Sequence, residues 1–183
     1  MDKIAATYRR FLDGDQNAFD EIIKSQFDRL MFFIDRYVHD LRVSEDIAID
    51  SFAELKSKKS GYNFKVSLKA YLFAVGRIKA MKYIKNQSFV DVLDFEDSFG
   101  TSEDEDQLKQ TVLNSDNKWI VNSALDRLSD DMKIAVHLVY FEDMSYAQTA
   151  FVMGKSLKEI DNLIFRAKSS LCMILNKEDC FLL

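Results

Sequence analysis

None of the 183 residues is proline, and only five are glycine. Proline costs about 3 kcal/mol in a helix interior and glycine about 1. A chain this poor in both folds into helices. Collagen-like, linker-rich and proline-recognition chains are excluded. Apolar residues make up 48% of the chain and charged residues 30%, a balance too apolar for a wholly disordered protein. Fifteen phenylalanines, with Tyr and Leu, supply apolar area for small cores. Length alone allows one large domain or two small ones.

The net charge of −5 hides a division into three blocks. Residues 1–86 carry 16 basic and 12 acidic side chains, net +4. Residues 87–117 carry one basic and nine acidic, net −8. Residues 118–183 carry eight basic and nine acidic, net −1. The middle block lacks sustained helical periodicity, and its like charges repel. It reads as an acidic linker between two helical domains, 1–86 and 118–183. Two readings of its run Glu103–Asp106 stay open. One is a solvated loop that opens a helix at Gln107. The other is a segment that imitates nucleic-acid backbone, or keeps the basic half soluble and autoinhibited.

In the first block Phe19, Ile22, Ile23, Phe27, Leu30, Phe33, Ile34, Tyr37 and Val38 recur three and four apart. That is one buried helical stripe, capped by Asp15 or Asn17. A second helix is expected from near Ser44 to about Lys56, with Glu45 and Asp46 suited to its first turn. A turn follows around Gly61. A third helix is expected over about 66–86, with Leu68, Leu72, Val75, Met81 and Ile84 inward.

In the last block a helix over about Trp119–Leu128 precedes Ser129 or Asp130, either of which caps the next. Ile134, Ala135, Leu138 and Val139 are its inward residues. Ser145 caps a short helix over Tyr146–Met153. Gly154 turns the chain. Ser156 and Glu159 make a capping box for a last helix from Leu157 to about Asn176. Ile160, Leu163, Ile164, Ala167, Leu171 and Leu175 face inward there. Two helices around a glycine turn form a helix-turn-helix pattern, and Ala147 and Ala150 are small enough for the helix contact. Such pairs also occur in proteins that never touch DNA.

These residues carry a family resemblance. The chain resembles bacterial RNA polymerase sigma factors of the sigma-70 family, extracytoplasmic-function (ECF) type, over about 15–86 and 119–175. Asp15-x-x-Ala18-Phe19 is similar to the family's opening. Ser44-Glu45-Asp46-Ile47-Ala48-Ile49-Asp50-Ser51-Phe52 resembles the helix that docks on the coiled coil of the polymerase's largest subunit, with Ile49 in place of the usual Gln. The resemblance makes Glu45, Asp46, Ile49, Asp50, Phe52 and Glu54 the expected core-polymerase-binding set. Physically, Asp46, Asp50 and Glu54 share one helix face, an acidic stripe that suits a basic partner; a merely solvated face is the alternative.

Leu68 to Arg77 resembles the promoter-melting segment, with Tyr71 at the usual Trp position. Displaced bases stack on aromatic rings while cations hold phosphates. Lys69, Tyr71, Arg77, Lys79, Lys82 and Lys85 are the expected −10 DNA-binding residues, although Tyr71 also sits at core spacing. Ile78 stands at the family's Asn, Lys82 at its Asp and Lys85 at a frequent Arg.

In the last block Ala124-Leu125-x-x-Leu128-Ser129 is similar to the family's A-L-x-x-L-P, and Leu138 to Tyr146 to its L-x-x-x-E-G-x-S-Y. Arg166-Ala167-Lys168 and Leu171 match the end of the recognition helix. Ser156, Lys158, Asn162, Arg166 and Lys168 are the expected −35 contacts, and Asn162 suits an adenine edge. Asp161 stands where the family has Lys and repels phosphate. The near-neutral block therefore implies weak −35 affinity, or dependence on polymerase.

The expected fold is all-α: two small helical domains joined by an acidic linker, the second a helix-turn-helix. The resemblance implies core RNA polymerase and promoter DNA as partners, and leaves room for an anti-sigma factor. No enzyme motif, cofactor loop or metal-ligand spacing emerges, so polymerase performs the chemistry. His39 and His137 lie too far apart in sequence to suggest a metal pair, and His137 reads as partly buried and structural. Asp130-Asp131 and Glu142-Asp143 read as loop residues and helix starters. Cys172 and Cys180 read as free thiols in a reducing compartment. With charges where a signal peptide needs an apolar core, and no apolar run near membrane-spanning length, a cytoplasmic protein is expected. The alternative function is a divergent sigma-like regulator that binds polymerase or another sigma factor and holds DNA weakly.

Overall fold

The computed structural model describes residues 3–58, 61–94, 125 and 127–174, with the side chains of 88–94 and 174 left aside. All regular elements among these residues are helical. The first block holds α1 (Lys3–Leu12), α2 (Gln16–Val38), α3 (Leu41–Ser57) and α4 (Leu68–Asp94). The second holds α5 (Asp130–Val136), a π-helical turn (His137–Phe141), α6 (Tyr146–Met153) and α7 (Leu157–Ile174).

Local capping chemistry sets several boundaries as expected. The Asp15 carboxylate accepts the Asn17 N–H at 3.1 Å and starts α2. Ser145 Oγ accepts the Gln148 N–H while Gln148 Oε1 accepts the Ser145 N–H, a reciprocal box at the start of α6. Ser156 and Glu159 form the same device for α7, and capping holds the Glu159 carboxyl below its ordinary range. Gly154, at φ +63, ends α6 in the left-handed region that favours glycine.

Other boundaries differ. α3 starts at Leu41, earlier than Ser44, because the Asp40 carboxylate accepts the N–H groups of both Arg42 and Val43. Ser44 is buried inside the helix, its hydroxyl donating to the Asp40 carbonyl at 2.7 Å. α4 continues past Asn86 to Asp94, since neither Pro nor Gly interrupts the chain between Gly76 and Gly100. α1 carried too short a stripe to stand out in the sequence. It buries Tyr8 and Phe11, and the Tyr8 hydroxyl donates to the Leu55 carbonyl. The expected helix over Trp119–Leu128 lies mostly outside the described residues, as do the acidic run and Leu175.

α2 is the hub of the first block and packs against α1, α3 and α4. Its buried Phe19, Ile22, Leu30, Phe33 and Ile34 match the expected stripe. Rings tile the centre: Phe11 lies 4.8 Å from Phe19, and Phe33 lies 4.9 Å from Phe73. Met81, expected inward, is exposed; Ala70, Phe73 and Ala80 take the buried side of α4 instead. At Gly76 an added Cβ would lie 2.9 Å from Leu30 Cδ1, so the missing side chain lets α2 and α4 approach. In the second block Ile160, Ile164, Ala167 and Leu171 face inward as expected. Thr149 and Ala150 make the small buried pair of α6, whereas Ala147 is exposed.

The two blocks lie against each other. α6 packs on α4, and one continuous apolar core runs from Tyr8 to Leu171. Cys172 is disulfide-bonded, which corrects the expectation of free thiols; Cys180 lies outside the described residues. Such pairing requires two Cα atoms within about 7 Å, which sequence spacing does not show.

Candidate functional site

Three surfaces carry the expected site residues. The first is the outer face of α3. Glu45, Asp46, Ile49 and Asp50 are exposed there, Ile49 half of its surface. Phe52 is only 4% exposed and stacks on Phe27 at 6.0 Å, so it anchors the helix rather than meeting a partner. Glu54 is engaged by Lys58 at 3.0 Å and by Lys79 from α4 at 3.1 Å. These two cations hold its carboxyl below the ordinary range. The free acidic stripe is therefore Glu45, Asp46 and Asp50.

The second surface is α4. Lys82 and Lys85 are exposed to solvent. Lys79 is tied to Glu54. Tyr71 is half-buried, 5.3 Å from the Tyr62 ring, and its hydroxyl lies near Gly61. The Arg77 guanidinium lies close enough to Tyr37 to act on its hydroxyl, and rests where a Cβ on Gly154 would be 3.2 Å away. Burial pushes the Tyr37 hydroxyl up to about 12 despite that guanidinium. Ile78 is well exposed, so the residue that replaces the family's Asn sits on the outer face.

Lys69 is the most altered by folding. Its ammonium ion-pairs with the Glu142 carboxylate at 2.5 Å and donates to the Glu142 backbone carbonyl at 2.7 Å. Only 13% of the Lys69 side chain and 5% of the Glu142 side chain remain exposed. Arg29 of α2 approaches the same carboxylate oxygen at 3.7 Å. Glu142 lies in the loop before α6, as its sequence position implies, but it is buried and ion-paired there. The hydrogen bond from Gln148 to Ser67, at 2.9 Å, ties the blocks together beside it.

His137 completes this cluster. Its ring stacks between Phe33 and Phe141, 6.4 and 5.7 Å away. Burial, then the positive charges of Arg36, Lys69 and Arg29, push its pKa down to about 3. The ring is therefore neutral near pH 7, in keeping with a partly buried structural role.

The third surface is the outer face of α7. Lys158, Asp161, Asn162 and Arg166 are all exposed on it, together with Phe165. Ser156 is exposed but committed to capping. Lys168 is half-buried over the Tyr140 ring at 5.5 Å, and its hydrogen bond to that hydroxyl raises its pKa. Among the described residues no group of His, Cys, Asp and Glu is placed to hold a metal ion.

Sequence reasoning missed Arg29 and Glu142. Arg29 sits on the polar side of the α2 stripe, and Glu142 was legible only as part of a motif. Their meeting depends on how the blocks pack.

The model of sigma-70 region 4 matches residues 119–171. The RNA polymerase sigma-H factor of Pseudomonas aeruginosa is 20% identical over 166 residues, covering 86% of each chain. The ECF RNA polymerase sigma-E factor of Salmonella typhimurium is 22% identical over 170 residues, covering 88% of each. Among solved structures, the sigma factor RpoE of Bartonella quintana, crystallised with the anti-sigma factor NepR, superposes with TM-score 0.63 at 22% identity. That match covers 88% of this chain and 98% of the other, and it shares the fold. Residues 119–171 thus match the sigma-70 region 4 family, and over most of its length the chain is similar to RNA polymerase sigma factors, several of them of the ECF type.

Proposed function

We propose that the chain is a sigma factor for transcription initiation, binding core polymerase through α3 and promoter DNA through α4 and α7. The observation that carries this reading is the exposure of Glu45, Asp46, Ile49 and Asp50 on one helix, at the positions that resemble the family's docking segment. Three carboxylates around a half-exposed Ile suit a basic partner with an apolar centre. On α4, Lys82 and Lys85 supply phosphate contacts and Tyr71 a stacking ring. On α7, Lys158 and Arg166 hold backbone while Asn162 addresses a base edge. Polymerase performs the chemistry; this chain positions it and opens the strands. That role places the protein in the cytoplasm, with promoter DNA and core polymerase as partners. No helix among the described residues is long and apolar enough to cross a membrane. An anti-sigma factor is a further partner on this reading, since the RpoE neighbour was crystallised with one.

Reconstitution with core polymerase and run-off transcription across genomic fragments tests the proposal. Specific transcripts are expected. A second reading, a polymerase-binding regulator with weak DNA binding, is favoured by exposed Asp161 and covered Lys69. Core binding without transcripts would select it, and no core binding would remove both. Reversing Asp46 and Asp50 to Lys is expected to cut co-purification with core at unchanged helicity by circular dichroism. Unchanged co-purification would remove the α3 assignment.

A further inference from the structure

We propose that Arg29 and Lys69 form a binding site for a DNA backbone phosphate, and that the Glu142 carboxylate occupies this site as an internal competitor. The proposal rests on the sigma-factor reading and adds to it a contact residue, Arg29, and a means of regulating the α4 surface.

Two cations from two helices converge on one oxygen. Lys69 of α4 and Arg29 of α2 both reach Glu142 Oε2, at 2.5 and 3.7 Å. A phosphate oxygen offers the same charge and the same acceptor geometry. The site is open on one side: the Arg29 side chain is 49% exposed while that of Lys69 is nearly covered. His137 stands neutral beside it, and Arg36 adds positive potential. Two cations against one carboxylate leave the cluster electropositive with Glu142 in place.

The backbone that delivers Glu142 is built irregularly. A π-helical turn precedes it, and Asp143 follows at φ +51. π-Turns and left-handed non-glycine residues concentrate at functional sites. The same seam covers the two cations nearest the start of α4. Lys69 is held by Glu142, and Arg77 lies against Gly154 at the helix-turn-helix turn. Lys82 and Lys85, further along α4, stay open. The closed chain thus offers DNA a fraction of its α4 charge, and separating the blocks exposes the rest. Glu142 holds the place that the strand takes.

The test uses the full chain, free of polymerase, and a fluorescein-labelled single-stranded DNA of about 15 nucleotides, within the span of such sites. Anisotropy titrations across salt concentrations compare wild type, Glu142→Gln, and Glu142→Gln with Arg29→Ala. Removing the competitor is expected to tighten binding about tenfold, within the usual range of intramolecular coupling. Adding Arg29→Ala is expected to lower the slope of log K against log salt by about 0.7, one single-strand phosphate contact. Unchanged affinity in folded Glu142→Gln overturns the proposal, and so does an unchanged slope.

If Glu142→Gln does not fold by circular dichroism, Arg29→Ala is read instead in polymerase holoenzyme on forked promoter DNA. An unaltered salt slope there overturns the proposal as well. Core co-purification and run-off transcripts separate the two readings. Their loss with the anisotropy result intact removes the sigma role alone. Their retention with no Glu142→Gln gain removes the competitor alone.

Discussion

Gly76→Ala sets two physical effects against each other at the centre of the first block. In a helix interior, alanine is favoured over glycine by about 1 kcal/mol. A solvent-facing position would be stabilised by that amount. At Gly76, however, the new Cβ meets Leu30 Cδ1 at 2.9 Å and two Ile34 carbons at 3.2 and 3.3 Å. Leu30 and Ile34 are both fully buried, so neither can swing into solvent. Relief requires α2 and α4 to separate or a side chain to leave its rotamer. Overpacking of this kind costs about 1–3 kcal/mol. The cost outweighs the propensity gain, leaving a net loss of about 1 kcal/mol, or roughly 2–4 °C in Tm for a chain of this size. Thermal melts followed by circular dichroism measure it. A double-mutant cycle locates the cause: Leu30→Ala alone costs about 2–5 kcal/mol, and in the Gly76→Ala background it is expected to cost about 1 kcal/mol less. A raised Tm in Gly76→Ala, or strict additivity in the cycle, would refute the close approach of α2 and α4.

Three further outcomes are expected. Because the folded pKa of His137 lies well below its unfolded value, the unfolded chain binds more protons as pH falls below about 6.5. The stability of the neutral ring is present above that pH and is lost progressively down to about 3, with a slope of at most about 1.4 kcal/mol per pH unit. Urea melts from pH 7 to 4 should therefore fall more gently in His137→Phe than in wild type, and equal slopes would contradict the burial. Asp161→Lys is expected to strengthen duplex binding by the full chain and steepen its log–log salt slope by about 0.9, since it adds one phosphate contact to the exposed face of α7. An unchanged slope would place that face away from DNA. Asp143→Gly, at φ +51, is expected to raise stability by roughly 0.5–1 kcal/mol in urea unfolding, because glycine reaches the left-handed region without a Cβ penalty. A loss would show that the Asp143 side chain contributes more than its backbone costs.

Much of the helical order was legible because it is decided within a turn or two of chain. The α2 stripe, the Asp15 cap, and the Ser156–Glu159 box each involve residues two to four apart, and the structure places them as their spacing implies. One boundary differs: the helix expected from near Ser44 starts earlier, because the Asp40 carboxylate accepts two N–H groups at the head of α3. The site was less legible. Glu45, Asp46, Ile49 and Asp50 stand exposed on one face, but Phe52 in the same motif is core and Glu54 is held by Lys79. A motif specifies residue types in order, whereas exposure depends on which neighbouring helix covers each face.

The sequence by itself determined that this chain is helical, that a capped helix-turn-helix closes it, and that its charge is divided into blocks. Proline content, capping side chains and apolar periodicity act locally, so no partner element is needed to read them. Only the tertiary structure decided which charges remain available. Lys69 and Glu142 are 73 positions apart, and nothing near either residue announces their contact. Burial at the seam makes that contact necessary, because a carboxylate withdrawn from water must be matched by cations at close range. The same packing turns Arg29 from an ordinary surface residue of α2 into part of the charged site and leaves Lys82 and Lys85 open to solvent.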